Sequence, residues 1–337
     1  MRTAGLDYES HALVEREMPE PCPVAGDEVL LRVREVGVCG TDRELASFLF
    51  GFPPAGESFL VLGHEALAQV METGPGVTAL KAGDWVVPVV RRACQPPCSS
   101  CVRGRRDLCL TGKAFERGIF GLHGYFAEYA VDAEADLVRV PEALLKSAVL
   151  IEPLSVAEKA VGTALRIHEP GASSALVLGA GPIGLLAAMV LQLRGLRTAI
   201  FSLEPPDHPR ARLAAAAGLE YLSELGNRKA DIVIEATGAA GTALAGLRSL
   251  ATLGVLGVLG SPDTRGEIPF RDMLVKNQAM FGSVNASPEA FRRALEDLPR
   301  MEPRVLDGMI RRARFEDFAV TIPAVAGETA KVVHVIE

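Results

Sequence analysis

The stretch Val177-Leu178-Gly179-Ala180-Gly181-Pro182-Ile183-Gly184 leaves few architectures open to this chain. Residues 175–178 are apolar and read as a buried parallel strand that runs straight into a glycine turn. Gly179 permits the tight turn, Gly181 lets the backbone approach a pyrophosphate, and Gly184 lets the helix beginning there pack closely on the strand. That helix presents free N–H groups and the positive end of its dipole to the same spot. Such a glycine pattern is weak by itself, but a helical run at 185–193 and a second strand at 198–202 supply the setting a dinucleotide needs. The plainer reading is a strand-to-helix corner with no ligand. A membrane span also has to be weighed, because residues 170–193 carry no charge. The glycine turn with Pro182 in its middle, and the lack of flanking aromatic and basic belts, argue against it.

Length sets the number of domains. A chain of 337 residues, 49% of them hydrophobic, can bury two cores, so two domains are expected. A net charge of −7 speaks against nucleic acid or an anionic membrane as the main partner. Arg2, Asp7, Glu9 and Glu15 leave no apolar signal segment at the start, and a cytoplasmic location is expected. In that reducing compartment, four of the six cysteines falling within 94–109 favours metal thiolates over disulfides.

The first part of the chain reads as β-rich. Residues 28–34 alternate, with Val29, Leu31 and Val33 on one face and Arg32 and Arg34 on the other, and further strands are expected at 60–62, 66–70 and 84–90. Two groups interrupt them: Cys39-Gly40-Thr41-Asp42 and Gly63-His64-Glu65. A thiolate and an imidazole brought together on a β scaffold suit zinc, with a carboxylate as third ligand or holding a water. Singly, Cys39 reads as a buried thiol, His64 as a core histidine and Glu65 as a solvated side chain. With Glu152, expected on a turn just before the nucleotide domain, they make a full zinc-dependent dehydrogenase set: Cys39, His64 and Glu152 on the metal, and Glu65 as the alternate ligand or as support behind the ligands.

Cys94, Cys98, Cys101 and Cys109 lie in a Pro-, Ser- and Arg-rich loop, spaced x3, x2 and x7. Four thiolates so close suit a closed tetrahedral zinc that fastens a loop without its own core. Two disulfides or four free thiols are the alternatives. Arg91, Arg92, Arg103, Arg105 and Arg106 around the cluster also raise a nucleic-acid-binding ribbon, which the absence of interleaved aromatics opposes.

Beyond the glycine turn, strands at 198–202, 231–235, 254–259 and 278–283 alternate with helices near 210–217 and 241–250, the pattern of a doubly wound parallel sheet. Thr237 and Ser261 follow two of these strands and are placed at the ribose and nicotinamide. At the end of the second strand stand Ser202, Leu203 and Glu204. No acid occupies the strand end itself, and Ser202, His208, Arg210 and Arg212 would accommodate a phosphate, so the expectation leans to NADP with NAD open. Residues 287–298 and 330–336 are expected to form a helix and a strand that return to the first domain.

These motifs together resemble the zinc-dependent medium-chain dehydrogenase/reductase superfamily, in its glucose dehydrogenase branch. Gly63-His64-Glu65 matches the superfamily zinc motif, Cys39-Gly40-Thr41-Asp42 the ligand-plus-relay segment, and residues 151–160 the branch signature. The resemblance implies an α/β architecture: a GroES-like β-rich catalytic domain (1–153, with the cysteine lobe at 91–112), a Rossmann domain (154–286) and a C-terminal return (287–337). It implies oxidation of an aldose at C1, with Thr41 carrying the proton, Glu116 and Asn285 touching the sugar, and Gly179, Gly181, Pro182, Ile183 and Gly184 holding the cofactor. A homo-oligomer, dimer or tetramer, is expected on the same ground. Two departures stand out. The cysteine spacing begins x3 where the family has x2, and Val90 replaces an asparagine that precedes the Arg-Arg pair. Val90 keeps a polyol, secondary-alcohol or amino-alcohol dehydrogenase open, and a dinucleotide-binding sensor without turnover is the alternative from another class.

Overall fold

The computed structural model describes residues 1–22, 26–168, 171–260, 266–324 and 331–337, so Ser261 lies outside the described residues. The strand expected at 28–34 runs on to Gly37 as Glu28–Gly37. Val29, Leu31 and Val33 are fully buried, while Arg34 turns out to Gln69 (3.1 Å) and Arg32 lies over the Tyr129 ring. It is the central strand of a seven-stranded sheet that also holds Glu65–Thr73, Trp85–Pro88, Tyr129–Ala133 and Leu137–Val140. The C-terminal strand Lys331–Val335 closes against it antiparallel, Val333 opposite Gly37, and Ile310–Arg314 follows on the outside. A three-stranded sheet, Ala12–Glu17, Arg2–Asp7 and Phe59–Val61, completes the first half.

The second half is a six-stranded, wholly parallel sheet. Its order is Glu220–Leu222, Arg197–Phe201, Ser174–Leu178, Ala230–Glu235, Leu250–Val258, Ala279–Gly282. Numbered from its first strand this is 3-2-1-4-5-6, the dinucleotide-binding order, with its switch point beside Ser174–Leu178. The three glycines act separately. Gly179 has φ +106°, and a Cβ on Gly184 would sit 1.8 Å from the Gly179 carbonyl oxygen. The helix starts two residues earlier than expected, as Pro182–Leu193, because Pro182 at its first position lacks only an N–H that would have had no partner.

Two elements differ from the sequence reading for local reasons. Glu152 lies not on a turn but in the first turn of a helix, Ile151–Ile167, where Pro153 is tolerated because first-turn N–H groups have no acceptor within the helix. The helix expected at 241–250 ends as Ala240–Arg248, since Leu250 already pairs with Ala230 in the sheet. Ile151, Leu154, Ala157, Ala160, Val161 and Ala164 are fully buried, and the helix packs on Pro182–Leu193, on Pro288–Asp297 and on both sheets. One hydrophobic cluster therefore runs from Val36 and Phe126 through Leu154 to Val177 and Leu185. Each large side chain buried there contributes about 1.5–3 kcal/mol. No helix among the described residues is long and apolar enough to cross a membrane.

A methyl group at Gly184 forces the helix off its strand. Gly184→Ala is expected to cost about 2–4 kcal/mol, read as a fall in Tm by circular dichroism, whereas Gly181→Ala, whose Cβ would meet nothing within 4 Å, leaves Tm of the unliganded protein unchanged.

Candidate active site

The strand Glu28–Gly37 delivers Cys39 to the start of the helix Gly40–Ala46, where Cys39 is the N-cap and its N–H donates to Asp42 Oδ2 (2.8 Å). The adjacent strand begins at Glu65, directly opposite Gly37, with His64 just before it. A Cβ at Gly37 would lie 2.3 Å from Glu65 Oε2, so only glycine leaves that carboxylate room. As a result, ligand atoms of Cys39, His64 and Glu65 lie within 4.8 Å of one another. His64 and Glu65 are buried, and Asp42 completely so, with Oδ1 3.4 Å from His64 Nδ1. Thr41 Oγ1 lies 3.8 Å from Cys39 Sγ.

Glu152, expected as the third ligand with Glu65 as its alternate, does not join that set, in which Glu65 stands instead; from the first turn of Ile151–Ile167 its carboxyl lies near enough to feel the charges of Glu65 and His64. Burial pushes its carboxyl up to about 8, and the negative charge of Glu65 adds to the shift. Burial opposes charge on His64, yet Asp42 and Cys39 hold its imidazole well above the ordinary range. Glu65 Oε1 accepts from Lys331 Nζ at 2.6 Å, and Lys331 also donates to the Val38 carbonyl (3.1 Å). Asp42 Oδ1 and His64 Nδ1 face each other at 3.4 Å, which leaves Glu65 Oε2 buried without a hydrogen-bond partner. Thiol, imidazole and a carboxylate with one buried, unsatisfied oxygen fit a zinc ion.

Glu116 and Asn285, 169 positions apart, meet: Asn285 Nδ2 donates to Glu116 Oε2 at 2.8 Å. The other oxygen of Glu116 takes Nε and Nη2 of Arg91 (2.9 and 2.6 Å). Asn285 sits at φ +60°, a left-handed position that asparagine tolerates better than most residues. Its neighbour Val284 offers its carbonyl to Lys159 Nζ (2.8 Å), which also pairs with Asp107 (3.0 Å). Asp107 belongs to the cysteine lobe, and its carbonyl accepts from Arg91 Nη1 (3.2 Å).

In that lobe the sulfurs of Cys94, Cys98, Cys101 and Cys109 lie within 4.8 Å of one another, and all six cysteines of the chain are free thiols. Backbone N–H groups of Cys101 and Leu110 draw the Cys98 thiol down to about 6, a ready thiolate for zinc. The extra residue in the first cysteine step is absorbed without parting the cluster. The arginines that raised a nucleic-acid reading are spent internally: Arg91 on Glu116, Arg92 on Asp132 and Asp136, Arg105 on Asp107, Arg106 on Asp136. Arg103 remains exposed.

At the glycine turn, a Cβ on Gly181 would enter open space at the helix start, the room a pyrophosphate requires. Pro182 and Ile183, half-buried, form the first turn of that helix. Thr237 abuts Gly179, whose Cβ would lie 2.9 Å from Thr237 Cγ2. The turn carrying Thr237 is held by Glu235, fully buried, which accepts from the Thr237 N–H (2.7 Å), the Thr237 hydroxyl and the Gly238 N–H (3.1 Å). At the second strand's end, Glu204 accepts from the Ser202 hydroxyl and pairs with Arg210 (3.0 Å), while Leu203 is 85% exposed.

Sequence reasoning missed Asp42 as the group orienting His64, though its place three residues after Cys39 was a signal. It also missed Lys331, Arg91, Lys159 and Glu235. Lys331 and Arg91 matter only through partners distant in the chain, which no local pattern reveals.

Comparison with known proteins agrees with this geometry. The family "Glucose dehydrogenase C-terminus" matches residues 145–334, and "Alcohol dehydrogenase GroES-like domain" matches 25–142. The chain is 39% identical to a glucose 1-dehydrogenase of Methanocella arvoryzae, over 89% of this chain and 90% of that one. It is 44% identical to one from Thermoproteus tenax, over 84% and 83%. Its fold superposes on Haloferax mediterranei glucose dehydrogenase in complex with NADP, Zn and gluconolactone with a TM-score of 0.91, at 31% identity, covering 100% of this chain and 99% of the other.

Two separate clusters predict two zinc ions per chain. Elemental analysis of purified protein is expected to return about two equivalents, falling to about one in Cys39→Ser and, independently, in Cys98→Ser.

Proposed function

The chain belongs to the glucose dehydrogenase branch of the zinc-dependent medium-chain dehydrogenases, and from that premise we propose that the Cys39, His64 and Glu65 cluster, with Glu152 beside it, is the centre at which an aldose is oxidised. The reaction takes hydride from C1 of the sugar, glucose above all, to NADP or NAD and leaves the lactone. The observation that carries the site assignment is the meeting of Glu116 and Asn285, a polar pair able to bind sugar hydroxyls, in a chain that also gathers zinc ligands and a cofactor turn.

When bound, zinc lowers the pKa of the substrate hydroxyl and the nicotinamide accepts the hydride. Cys39, His64 and Glu65 would hold the metal, and Glu152 would complete its shell. Asp42 fixes the His64 ring from behind, as a buried carboxylate does for a metal-bound histidine. Thr41, beside the Cys39 sulfur, receives the hydroxyl proton and passes it toward solvent. Gly179, Gly181, Pro182, Ile183 and Gly184 cradle the pyrophosphate, Ser202, Leu203, Glu204 and Arg210 border the adenosine ribose, and Thr237 and Asn285 border the nicotinamide half. Ser261 is assigned there from sequence. The four-cysteine zinc is structural.

Division of the chain at 1–153, 154–286 and 287–337 is supported by the parallel sheet lying between 174 and 282 and by the return of Ile310–Arg314 and Lys331–Val335 to the first sheet. A homo-oligomer is supported by the outer edge of Ala279–Gly282, which ends the sheet, and by exposed Phe270, Leu274, Val275 and Met280 beside it. Cytoplasmic location is supported by four cysteines gathered as one metal-suited cluster instead of paired in disulfides. Val90, packed into the core at 2% exposure, gives no hydrogen bond to a sugar and favours polyols or secondary alcohols as the second reading.

A panel of aldoses, polyols and secondary alcohols, read by nicotinamide absorbance, is expected to show highest kcat/KM on glucose or a close aldose; turnover confined to secondary alcohols would reverse the assignment. Thr41→Ala is expected to lower kcat about 100-fold or more with KM little changed. Asn285→Ala is expected to raise KM for the sugar about tenfold. For the assembly, Leu274→Lys with Met280→Lys is expected to yield monomers by light scattering.

A further inference from the structure

The strand Arg197–Phe201 ends against the glycine turn, its last carbonyl accepting from the Gly179 N–H at 2.8 Å, so whatever follows Phe201 stands beside the cofactor cradle. In dinucleotide folds this is where an acid meets the adenosine ribose hydroxyls. Here the strand end itself is Ser202, nearly buried, and the acid comes from two residues further on. Glu204 folds back so that one carboxylate oxygen accepts from the Ser202 hydroxyl and the other from Arg210 (3.0 Å). The Tyr221 hydroxyl fastens its carbonyl (2.7 Å). The carboxylate is held by two partners and the backbone beneath it by a third.

Resting on the dehydrogenase reading above, we propose that Glu204 makes this enzyme selective for NAD, its carboxylate accepting the ribose hydroxyls and turning away the 2′-phosphate of NADP. A carboxylate is an acceptor only, so it suits a pair of hydroxyl donors and opposes a phosphate carrying close to two negative charges. Although burial works against its charge, the Ser202 hydroxyl and Arg210 hold Glu204 below its usual range, and it is ionised at neutral pH. Arg210, the cation nearest the strand end, is committed to Glu204. His208 Nδ1 accepts the Arg210 N–H as a helix cap, and Arg212 is exposed on the same helix. Leu203 supplies no charge at the rim.

Titration of the zinc-loaded protein with NADH and NADPH, followed by nicotinamide fluorescence without sugar, measures this apart from turnover. The dissociation constant for NADH is expected to be at least tenfold below that for NADPH. Glu204→Gln keeps the shape and removes the charge, and is expected to narrow the ratio at least tenfold by tightening NADPH; Leu203→Arg in the same background tightens it again. Equal binding of the two cofactors by the unmodified protein, or a ratio moved less than threefold by Glu204→Gln, overturns the proposal. So does a preference for NADPH that Arg210→Met abolishes, which would make Arg210 a phosphate anchor. Failure of both dinucleotides to bind overturns the dehydrogenase reading itself, whereas selectivity lost with binding intact overturns only the role of Glu204.

Discussion

The contact on which the rest depends is the ion pair of Glu65 with Lys331, 266 residues apart and almost wholly removed from water. Stripping one partner from a buried pair leaves the other uncompensated and costs about 3–5 kcal/mol. Lys331 reaches Glu65 because the C-terminal strand docks on Glu28–Gly37, the strand that delivers Cys39. Closure of the first sheet by the last strand and assembly of the metal centre are thus one event. With one oxygen of Glu65 held by Lys331, the other remains buried and unsatisfied beside the thiol and imidazole. The protein holds one half of this carboxylate fixed and leaves the other half free for the metal proposed there.

A second consequence follows for how the halves are joined. Glu152 opens the helix Ile151–Ile167, whose other side is packed against the helix that begins at the glycine turn. A single helix of seventeen residues therefore connects the border of the proposed metal centre to the helix at the proposed cofactor turn. Hydride transfer tolerates little error in distance. A packed helix, its alanines letting neighbours come close, fixes that distance better than the turn expected from sequence.

Legibility in the sequence tracked the range of the interactions. The glycine turn could be read because each glycine acts on backbone within a few residues: Gly179 through its φ, Gly184 through the Gly179 carbonyl, Gly181 through the space it leaves. The cysteine lobe could be read because thiolates at short spacing have one common use. Glu152 reads as a turn residue in the sequence although it opens a helix, whose first turn can hold Pro153 where an interior could not. Leu250 misled because an apolar residue at the end of a helical run also suits a buried strand, and only its pairing with Ala230 decides. The arginines at 91–106 suggested a basic patch because Asp132 and Asp136, which neutralise two of them, come thirty or more residues later.

The cysteine lobe is more than a fastening. Two routes run from it to the loop that carries Asn285: Arg91 through Glu116 to the Asn285 amide, and Asp107 through Lys159 to the Val284 carbonyl. They meet at Asp107, which gives its carbonyl to Arg91 and its carboxylate to Lys159. Asp107 is buried, and Arg105 and Lys159 hold its carboxyl below its usual range against that burial. It stands two residues before Cys109, so the four-cysteine cluster fixes the backbone on which both routes begin. A lobe with no hydrophobic core of its own therefore needs a metal cross-link for a reason beyond its own stability. Without it, Glu116 and Asn285, which come from opposite halves of the molecule, lose the common support that keeps them in register across the cleft.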